Sequence, residues 1–482
     1  MDLSGAVNER TLCHIGNAYY LDAVAVRSLR CRTHTVSNTA FRGFGGPQGL
    51  FLIESVMDDI ARYLHQDPLA VRCANFFAEV PGDGRDHTHY GAEVRDFVLG
   101  PLVAQLVDSS DYHRRRAAVA KFNGTHQVIK RGIALTPVMF GISFNAVQFN
   151  QAGAAVYVYQ DGSVAVTHGG TEMGQGLYTK MRQVAATELG VPLDRVRLLP
   201  TDTSRVANTS ATAASSGTDL NGMAVHNACA KIRARLAQLA AHLSQTAAEQ
   251  VVFADGWVTA ANGQNWSFND LVKQAYLARI QLWDSGFYLT PEIHYDGAQH
   301  LGRPFFYYAY GAAVSEVAID TLTGESRVLG VDILHDVGRS MNPAIDIGQI
   351  EGGFVQGMGW LTSEELFWCQ KGDRAGQLMT HAPSTYKIPT AYDVPAHWQV
   401  ALFDNQNMAD TIYRSKAVGE PPFMLAISVF SAIRQAVQAA AGEDQIVNLA
   451  APATPEAILK AITESQGRYS NSASGGGGAV VA

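Results

Sequence analysis

The chain has 482 residues, of which 47% are hydrophobic and 17% carry a charged side chain. This length predicts two to three lobes, and the composition is typical of a globular protein and not of a disordered chain. The formal net charge of -8 argues against a nucleic-acid-binding protein, which needs a basic surface. Because no apolar run reaches the roughly eighteen residues of a membrane helix and no signal peptide is recognisable, we expect a cytoplasmic protein without a membrane span.

The cysteines are scattered and odd in number: Cys13, Cys31, Cys73, Cys229 and Cys369. No two of them form a C-x-x-C pair, so the sequence predicts neither a disulfide framework nor a zinc or iron–sulfur site. If the protein does redox chemistry, we expect the iron–sulfur carriers to lie on another chain.

The first part of the sequence predicts extended segments with turns over residues 1–35 and then helices. Apolar residues recur at helical spacing over 48–64. Asp67 and Pro68 have the pattern of an N-cap followed by proline at the first helical position, which predicts a helix through Phe76.

Two further helices are predicted over 94–106 and 111–122. The first is expected to break or kink at Gly100 and Pro101, because proline removes a backbone donor. In the second, Arg114, Arg115 and Arg116 are expected to form a solvated face.

From Arg131 onward the pattern changes to strands and helices. Alternating residues predict hairpins over 154–167 and 312–333, and one more strand over 399–403. Helices are predicted over 177–189, 222–243 and 421–440, the last almost wholly apolar and therefore buried, and residues 470–482 are expected to be a disordered tail. We therefore predict an α+β chain with two lobes of mixed β-sheet and packed helices, divided into 1–130, 131–466 and a Gly/Ser-rich tail at 467–482.

Glycines cluster in segments at strand or helix junctions: 38–49, 168–176, 212–219 and 415–422. Glycines allow close backbone approach to a ligand, and free amides at a helix N-terminus bind anions. This pattern favours a large phosphate-bearing cofactor held mainly by main chain, although each segment by itself is more typical of an ordinary turn. No G-x-G-x-x-G follows a leading strand and no G-x-S-x-G occurs, so dinucleotide binding and serine hydrolysis are disfavoured.

Glu420 follows Gly419 and precedes Pro421 and Pro422, which would open the buried apolar helix. A carboxylate at such a place is a candidate general base. Taken alone, its position fits an ordinary acid at a helix N-terminus better.

Phenylalanines at positions 41, 44, 140 and 144 are predicted to lie in loops. Loop phenylalanines beside glycines can form the walls of a flat pocket for a planar ligand. Packing of these rings into the core explains them equally well.

Several sequence strings occur together and in order over roughly residues 37–422: SNTAFRGFGGPQG, FGISF, NQAGA, HGGTEMGQG, TAAS, MNPAIDIGQIEGGFVQG, STYKIPT and SKAVGEPP. This set resembles the molybdopterin hydroxylases of the xanthine dehydrogenase and aldehyde oxidase family. The resemblance implies a molybdenum-cofactor-binding domain of the xanthine oxidase type and a molybdenum–molybdopterin cofactor with oxo, sulfido and hydroxo ligands, with no FAD or iron–sulfur site on this chain.

The resemblance also implies roles for individual residues. Cofactor contacts are expected at Ala40, Phe41, Arg42, Gly174, Gln175, Ala214, Ser215, Gln349, Lys416 and Gly419. The main chain of Arg42 and Ala214 would lie near molybdenum, with no direct protein ligand.

For the substrate, the resemblance implies that Phe44 and Phe144 sandwich a heteroaromatic ring and that Arg10 faces a purine. Asn145 would belong to the substrate wall, where many relatives have threonine. Glu420 would be the base that activates a water-derived hydroxyl for attack on a C–H carbon. The implied reaction takes hypoxanthine or xanthine towards urate.

The resemblance further implies partners and alternatives. The family's GGGFGGK-like loop, a glutamine near the metal and a second purine-binding glutamate are not found in this sequence. We therefore expect an N-terminal molybdenum-domain segment to complete the site, an iron–sulfur/FAD subunit to accept electrons, and a dimer of heterodimers. The alternatives are an aldehyde or N-heterocycle oxidase of the same family and a non-catalytic fragment or assembly subunit.

Overall fold

The computed structural model describes residues 3–80, 82–206, 208–442 and 445–467. The predicted tail from residue 470 lies outside these residues. The helices are α1 (Ser4–His14), α2 (Gly46–Tyr63), α3 (Pro68–Ala74), α4 (Leu99–Ser109), α5 (Tyr112–Thr125), α6 (Leu177–Leu189), α7 (Gly217–Ser244), α8 (Phe268–Leu277), α9 (Pro343–Thr362), α10 (Pro421–Met424), α11 (Ile427–Ala441) and α12 (Pro455–Ser465). The strands are β1 (Ile129–Ile142), β2 (Gln151–Val158), β3 (Val164–His168), β4 (Val196–Leu198), β5 (Val252–Ala254), β6 (Trp257–Thr259), β7 (Asn265–Ser267), β8 (Trp283–Leu289), β9 (His294–Asp296), β10 (Leu301–Arg303), β11 (Tyr307–Asp320), β12 (Ser326–His335) and β13 (His397–Leu402).

A four-stranded sheet in the order β1-β11-β12-β13 forms the centre of the first lobe. Its first three strands are antiparallel, and β13 joins β12 in parallel. Successive residues of a strand point to opposite faces. Leu135 and Met139 accordingly pack in one buried cluster with Leu102 of α4, whereas Val138 packs in another with Ile433 of α11. Helices from both ends of the chain therefore cover this sheet.

The second lobe is built on a sheet in the order β4-β3-β2-β8. Buried residues of β2 and β3 share a core with α6, α7 and α8. The hairpin predicted here is confirmed, since Val158 pairs with Val164 across the turn, and the second predicted hairpin is confirmed by the pairing of β11 with β12. Smaller sheets of β5-β6-β7 and β9-β10 complete the described part of the chain.

The predicted α+β class with two lobes is confirmed. The boundary near residue 130 stays a prediction. Strand β1 begins at Ile129, beside that boundary, and packs against helices from both sides of it.

The predictions for residues 1–35 and 94–106 were partly wrong. Residues 4–14 form α1, which the sequence pattern missed because its buried residues are Arg10, Cys13 and His14 and do not make an apolar stripe. The helix predicted from residue 94 begins only at Leu99. Pro101 therefore lies in the first turn, where proline is tolerated, and produces no kink.

Two predicted side-chain environments were also wrong. Arg115 is not on a solvated face, because its guanidinium pairs with Asp332 at 2.6 Å and with Glu316 at 3.2 Å. Phe140 is a fully buried residue of β1 and not a loop residue.

The apolar segment after Glu420 is divided into α10 and α11 around Leu425 and Ala426 and is not one continuous helix. By length and composition, Pro421–Ala441 is apolar enough to cross a membrane, which the sequence analysis did not anticipate. Its apolar window is 72% buried inside the protein, as expected for a core helix.

Candidate functional site

Arg42 joins three of the segments predicted to hold a cofactor. Its Nε donates to the carbonyl oxygen of Gly419 at 2.6 Å, and one terminal nitrogen lies 3.3 Å from the carbonyl oxygen of Gln349 and 3.4 Å from its side-chain oxygen. The other terminal nitrogen contacts Gln356 Oε1 at 3.3 Å. Burial lowers the pKa of Arg42, and the attraction of Glu420 opposes that shift. The guanidinium thus fixes the segment before α2 to α9 and to the segment that carries Glu420.

Glu420 is buried at the N-cap of α10 and is held by Ser215. Ser215 Oγ donates to Glu420 Oε2 at 2.7 Å and accepts from the Glu420 amide at 2.8 Å. Ala214 and Ser215 have φ values of 55° and 56°, a left-handed turn that presents this hydroxyl. At Gly419 a Cβ would lie 3.0 Å from Ser215 Oγ, so glycine permits the close approach.

Arg10 is the second charged group at this place. Its side chain is 3% exposed and its NH2 lies 4.0 Å from Glu420 Oε2. The guanidinium also donates to the carbonyl oxygens of Gly141 at 2.6 Å and Ser143 at 2.8 Å. Burial lowers the pKa of Arg10, and Glu420 counteracts this. The cation is therefore held between backbone carbonyls and the candidate base.

The residues next to the two predicted substrate phenylalanines, Gly45 and Ser143, both accept hydrogen bonds from side chains of α1. Phe44, half-buried with φ 49°, precedes Gly45, whose carbonyl accepts from Thr11 Oγ1 at 2.9 Å. Phe144, also half-buried, follows Ser143. The side chain of Asn150 fixes its backbone, accepting from the Phe144 amide at 2.8 Å and donating to its carbonyl at 2.9 Å.

Asn145 contacts Arg10. Its Oδ1 accepts from Arg10 at 3.3 Å and its Nδ2 donates to Cys13 Sγ at 3.5 Å. In this structure Asn145 therefore acts on the arginine, and its predicted place in the substrate wall stays a prediction.

Ala40 and Phe41 are exposed, and the Phe41 ring packs edge-on against Phe423, with centroids 5.6 Å apart. This contact places the segment before Arg42 beside α10. The predicted contacts of Ala40 and Phe41 with the cofactor stay predictions.

The segment 168–176 joins the cluster through the Thr171 amide, which donates to Thr212 Oγ1 at 2.8 Å. We expected free amides here, but they are bonded within the chain. The Glu172 carboxylate accepts from the amides of Gly174, Gly176 and Tyr178 at 2.8, 3.0 and 2.9 Å. This carboxylate at the N-terminus of α6 takes the place predicted for an anion. The predicted cofactor contacts of Gly174 and Gln175 stay predictions.

Lys416 lies in the interior, with a side chain that is 0% exposed. Its ammonium is 2.8 Å from both Asp96 Oδ2 and Asp336 Oδ2 and 4.8 Å from the centroid of the Tyr310 ring. Burial favours a lower pKa for Lys416, but the attraction of Asp336 and Asp96 outweighs it and raises the pKa. Because two buried carboxylates occupy the ammonium, this geometry argues against the predicted contact of the Lys416 side chain with a pterin.

The remaining groups fit a phosphate-bearing cofactor. The N-terminus of α7, directly after the Ala214–Ser215 turn, has no side-chain cap, so no side chain takes the amides that an anion would bind there. Gly174 is exposed, and a Cβ there would meet nothing within 4 Å. The Arg42 guanidinium and the Gln349 side chain supply further polar groups beside Gly419.

Several contributors to this site were not predicted from the sequence. Asn150 belongs to the quoted string NQAGA and Glu172 to HGGTEMGQG, so both were within reach of motif reasoning. Tyr307, whose hydroxyl contacts Asp219 and the Ala417 amide, lies in no quoted string. Only the fold brings it to the segment of Glu420.

Comparison with known proteins agrees with this geometry. The sequence profile described as molybdopterin cofactor-binding domain matches residues 105–395, and a second profile of the same description matches residues 1–76. The chain therefore belongs to the molybdopterin cofactor-binding domain family. The chain is also similar to xanthine dehydrogenases: it is 45% identical over 95% of its length to xanthine dehydrogenase of Emericella nidulans, and 44% identical over 96% to xanthine dehydrogenase/oxidase of Gallus gallus.

The chain spans about a third of the length of these relatives, 32% in each case. Among solved structures, quinoline 2-oxidoreductase from Pseudomonas putida 86 is similar with a TM-score of 0.80 and 25% identity, covering 95% of this chain and 57% of that chain. Aldehyde oxidoreductase from Desulfovibrio gigas, with a TM-score of 0.76 and 23% identity, covers 95% and 45% and supports the fold alone.

Proposed function

We propose that this chain forms the molybdenum centre of a cytoplasmic hydroxylase that oxidises hypoxanthine or xanthine towards urate. Iron–sulfur and flavin centres on another chain would accept the electrons. The observation that carries the proposal is the pair of Arg10 and Glu420, 4.0 Å apart in a buried site next to the segments of both candidate substrate rings. The identity of 42–45% to several xanthine dehydrogenases supports the purine substrate.

The cofactor, when bound, supplies the two-electron redox chemistry of the hydroxylation. Gly419, Gln349, the Ala214–Ser215 turn and the α7 N-terminus would hold it, with the main chain of Arg42 and Ala214 nearest the metal. The residues of this chain would supply the base and part of the substrate contacts.

Glu420 acts as the general base for the water-derived nucleophile. The hydrogen bond from Ser215 engages Oε2 and fixes the carboxylate plane, while Oε1 has no hydrogen-bond partner among the residues that the structure describes. This arrangement orients one oxygen and leaves the other to accept the proton.

Arg10 stabilises negative charge that develops on the purine, and its bonds to Gly141 and Ser143 hold the guanidinium in place beforehand. Phe44 and Phe144 orient the planar ring and exclude water from it. The missing glycine-rich loop and second glutamate would come from an N-terminal molybdenum-domain segment.

The test is to produce the chain in a host that makes the molybdenum cofactor, alone and together with such a segment and the iron–sulfur/FAD subunit. We expect stoichiometric molybdenum and urate formation from xanthine only in the assembled form. An assembled protein that contains molybdenum but leaves xanthine unchanged would overturn the proposed substrate. Full activity of the isolated chain would overturn the proposed completion of the site.

A second candidate is an N-heterocycle or aldehyde oxidase of the same family. It is favoured by the commitment of Arg10 to three protein oxygens, Gly141, Ser143 and Asn145, which reduces its availability to a purine. A screen of xanthine, quinoline and benzaldehyde with the assembled protein separates these candidates. A non-catalytic assembly subunit would turn over none of them.

A further inference from the structure

The Tyr307 hydroxyl connects two segments of the site. It lies at the start of β11, donates to Asp219 Oδ2 at 2.7 Å and accepts from the Ala417 amide at 2.9 Å. Both Tyr307 and Asp219 are buried. The hydroxyl therefore donates its one hydrogen to Asp219 and accepts one hydrogen bond from the Ala417 amide. Because Tyr307 belongs to β11, the strand backbone fixes the direction of these bonds.

These contacts form a second bridge beside the one already described. Ser215 and Asp219 belong to the turn and first helical turn of α7, and Ala417 and Glu420 belong to the segment before α10. The first bridge is Ser215 to Glu420, and the second is Asp219 through Tyr307 to Ala417. The second bridge adds to the two bonds at Ser215 and to the bond from Arg42 to the Gly419 carbonyl, so it further restricts how one segment can turn against the other.

The buried carboxyl of Asp219 depends on the hydrogen bond that Tyr307 donates to it. The charge of Lys180 acts on Asp219, but the Lys180 ammonium is bonded to Asp346 Oδ1 at 2.6 Å. Burial raises the pKa of Asp219 to about 7, while the Tyr307 hydrogen bond and Lys180 act in the opposite direction. A buried carboxyl with one hydroxyl donor orients that hydroxyl strongly.

We propose that Tyr307 and Asp219 are positioning residues for Glu420: Asp219 orients the Tyr307 hydroxyl, which holds the Ala417 amide and so the backbone that carries the base. The role of Glu420 as base rests on the function proposed above. The bridge itself is a property of the folded chain and is tested separately from turnover.

The first test measures hydrogen exchange of the Ala417 amide in the assembled protein by mass spectrometry of peptides covering 415–420. In Tyr307→Phe that amide loses its acceptor, and we expect its exchange to accelerate about tenfold. Tyr308→Phe is the matched control, because Tyr308 is a buried neighbour whose hydroxyl pairs with Tyr90 at 2.7 Å. Equal exchange in the variant and the control would overturn the proposal.

The second test uses Asp219. Asp219→Asn keeps an acceptor for the Tyr307 hydroxyl and should retain most of the Ala417 protection, whereas Asp219→Ala should lose it about as much as Tyr307→Phe does. If the Ala417 amide loses its protection from exchange in both Asp219 variants, or in neither of them, the orienting role of the carboxyl is contradicted. If Tyr307→Phe fails to fold, the two Asp219 variants still test whether the Tyr307 hydroxyl holds the Ala417 amide.

The third measurement separates the bridge from the proposed function. Tyr307→Phe should lower kcat for the oxidised substrate about tenfold or more with KM nearly unchanged, because the base moves while the substrate contacts remain. If the unmodified assembly oxidises no purine but the exchange results hold, the proposed function fails and the bridge stands. Faster exchange together with unchanged kcat would overturn the positioning role.

Discussion

Ser215 bonds to Glu420 twice: its hydroxyl donates to the carboxylate at 2.7 Å and accepts from the amide of the same residue at 2.8 Å. One side chain thus fixes both the backbone and the side chain of the candidate base. The pair joins the turn before α7 to the segment before α10, which lie about 200 residues apart in the sequence.

Replacing Ser215 by alanine removes both bonds. We predict that Ser215→Ala lowers kcat by about tenfold to a hundredfold, because a small displacement of the base greatly affects proton transfer. Ser216→Ala is the control, since within the described ranges the Ser216 hydroxyl is bonded only to the Ala213 carbonyl of its own turn. Steady-state kinetics with xanthine measures the effect, and equal kcat in both variants would contradict the role of Ser215.

Glu420→Gln keeps the size of the side chain and removes its basicity. We expect kcat to fall by about a hundredfold to ten-thousandfold while molybdenum content is unchanged. Glu351→Gln is the control, because that half-buried glutamate of α9 bonds to Trp398 at 3.1 Å. Near-normal turnover of Glu420→Gln would refute the base assignment.

Arg10→Met tests substrate selection. We predict that kcat/KM for xanthine falls far more than kcat/KM for an aldehyde, because only the purine develops charge opposite the guanidinium. The variant will also lose stability, by about 1–3 kcal/mol, since the carbonyls of Gly141 and Ser143 lose a buried donor. The ratio of kcat/KM for xanthine to kcat/KM for the aldehyde does not depend on that loss of stability. Equal decreases in kcat/KM for both substrates would show that Arg10 does not select the substrate.

Lys416→Met tests a structural role against a cofactor contact. The variant leaves Asp96 and Asp336 without their buried cation, and we expect a loss of about 3–5 kcal/mol in the free energy of unfolding. Molybdenum content per folded molecule should stay normal. Urea denaturation against the exposed control Lys371→Met measures the loss, and an intact stability with lost cofactor would restore the predicted contact with the pterin.

Because Asp219 is buried, we predict that the free energy of unfolding depends on pH. Burial raises its pKa to about 7 in the folded chain, against about 4 in the unfolded chain. As pH rises from about 4 to about 7, the unfolded chain loses this proton first, so the carboxyl lowers the free energy of unfolding, on the order of 2–4 kcal/mol. Asp219→Asn cannot ionise and should therefore gain stability relative to the unmodified chain at pH 8 but not at pH 4.

Thermal unfolding at the two pH values measures that difference. Ser216→Ala, which removes no ionisable group, is the control and should differ from the unmodified chain by the same amount at both pH values. A constant difference between Asp219→Asn and the unmodified chain at both pH values would contradict the raised pKa.

The α+β class, the two hairpins and the helices α2, α6 and α7 were predictable, because strand alternation, turn residues and apolar periodicity are local properties. The motif strings likewise identified Glu420, Ser215 and Arg42. Helix α1 was not predictable, since Arg10, Cys13 and His14 form no apolar stripe and become buried only against other elements. The burial of Lys416 and the ion pairs of Arg115 were not predictable either, because both arise only from packing against other elements.

The sequence by itself determined the family to which the chain belongs and supplied the candidate residues for its chemistry. The tertiary structure alone decided which of them meet: Arg10 and Glu420 are 4.0 Å apart, and Tyr307 reaches Ala417 through its hydroxyl. It also decided that Glu172, and not a free set of amides, faces the N-terminus of α6. The physical reason is that burial and hydrogen bonding between distant segments depend on how the sheets and helices pack, which no local pattern encodes.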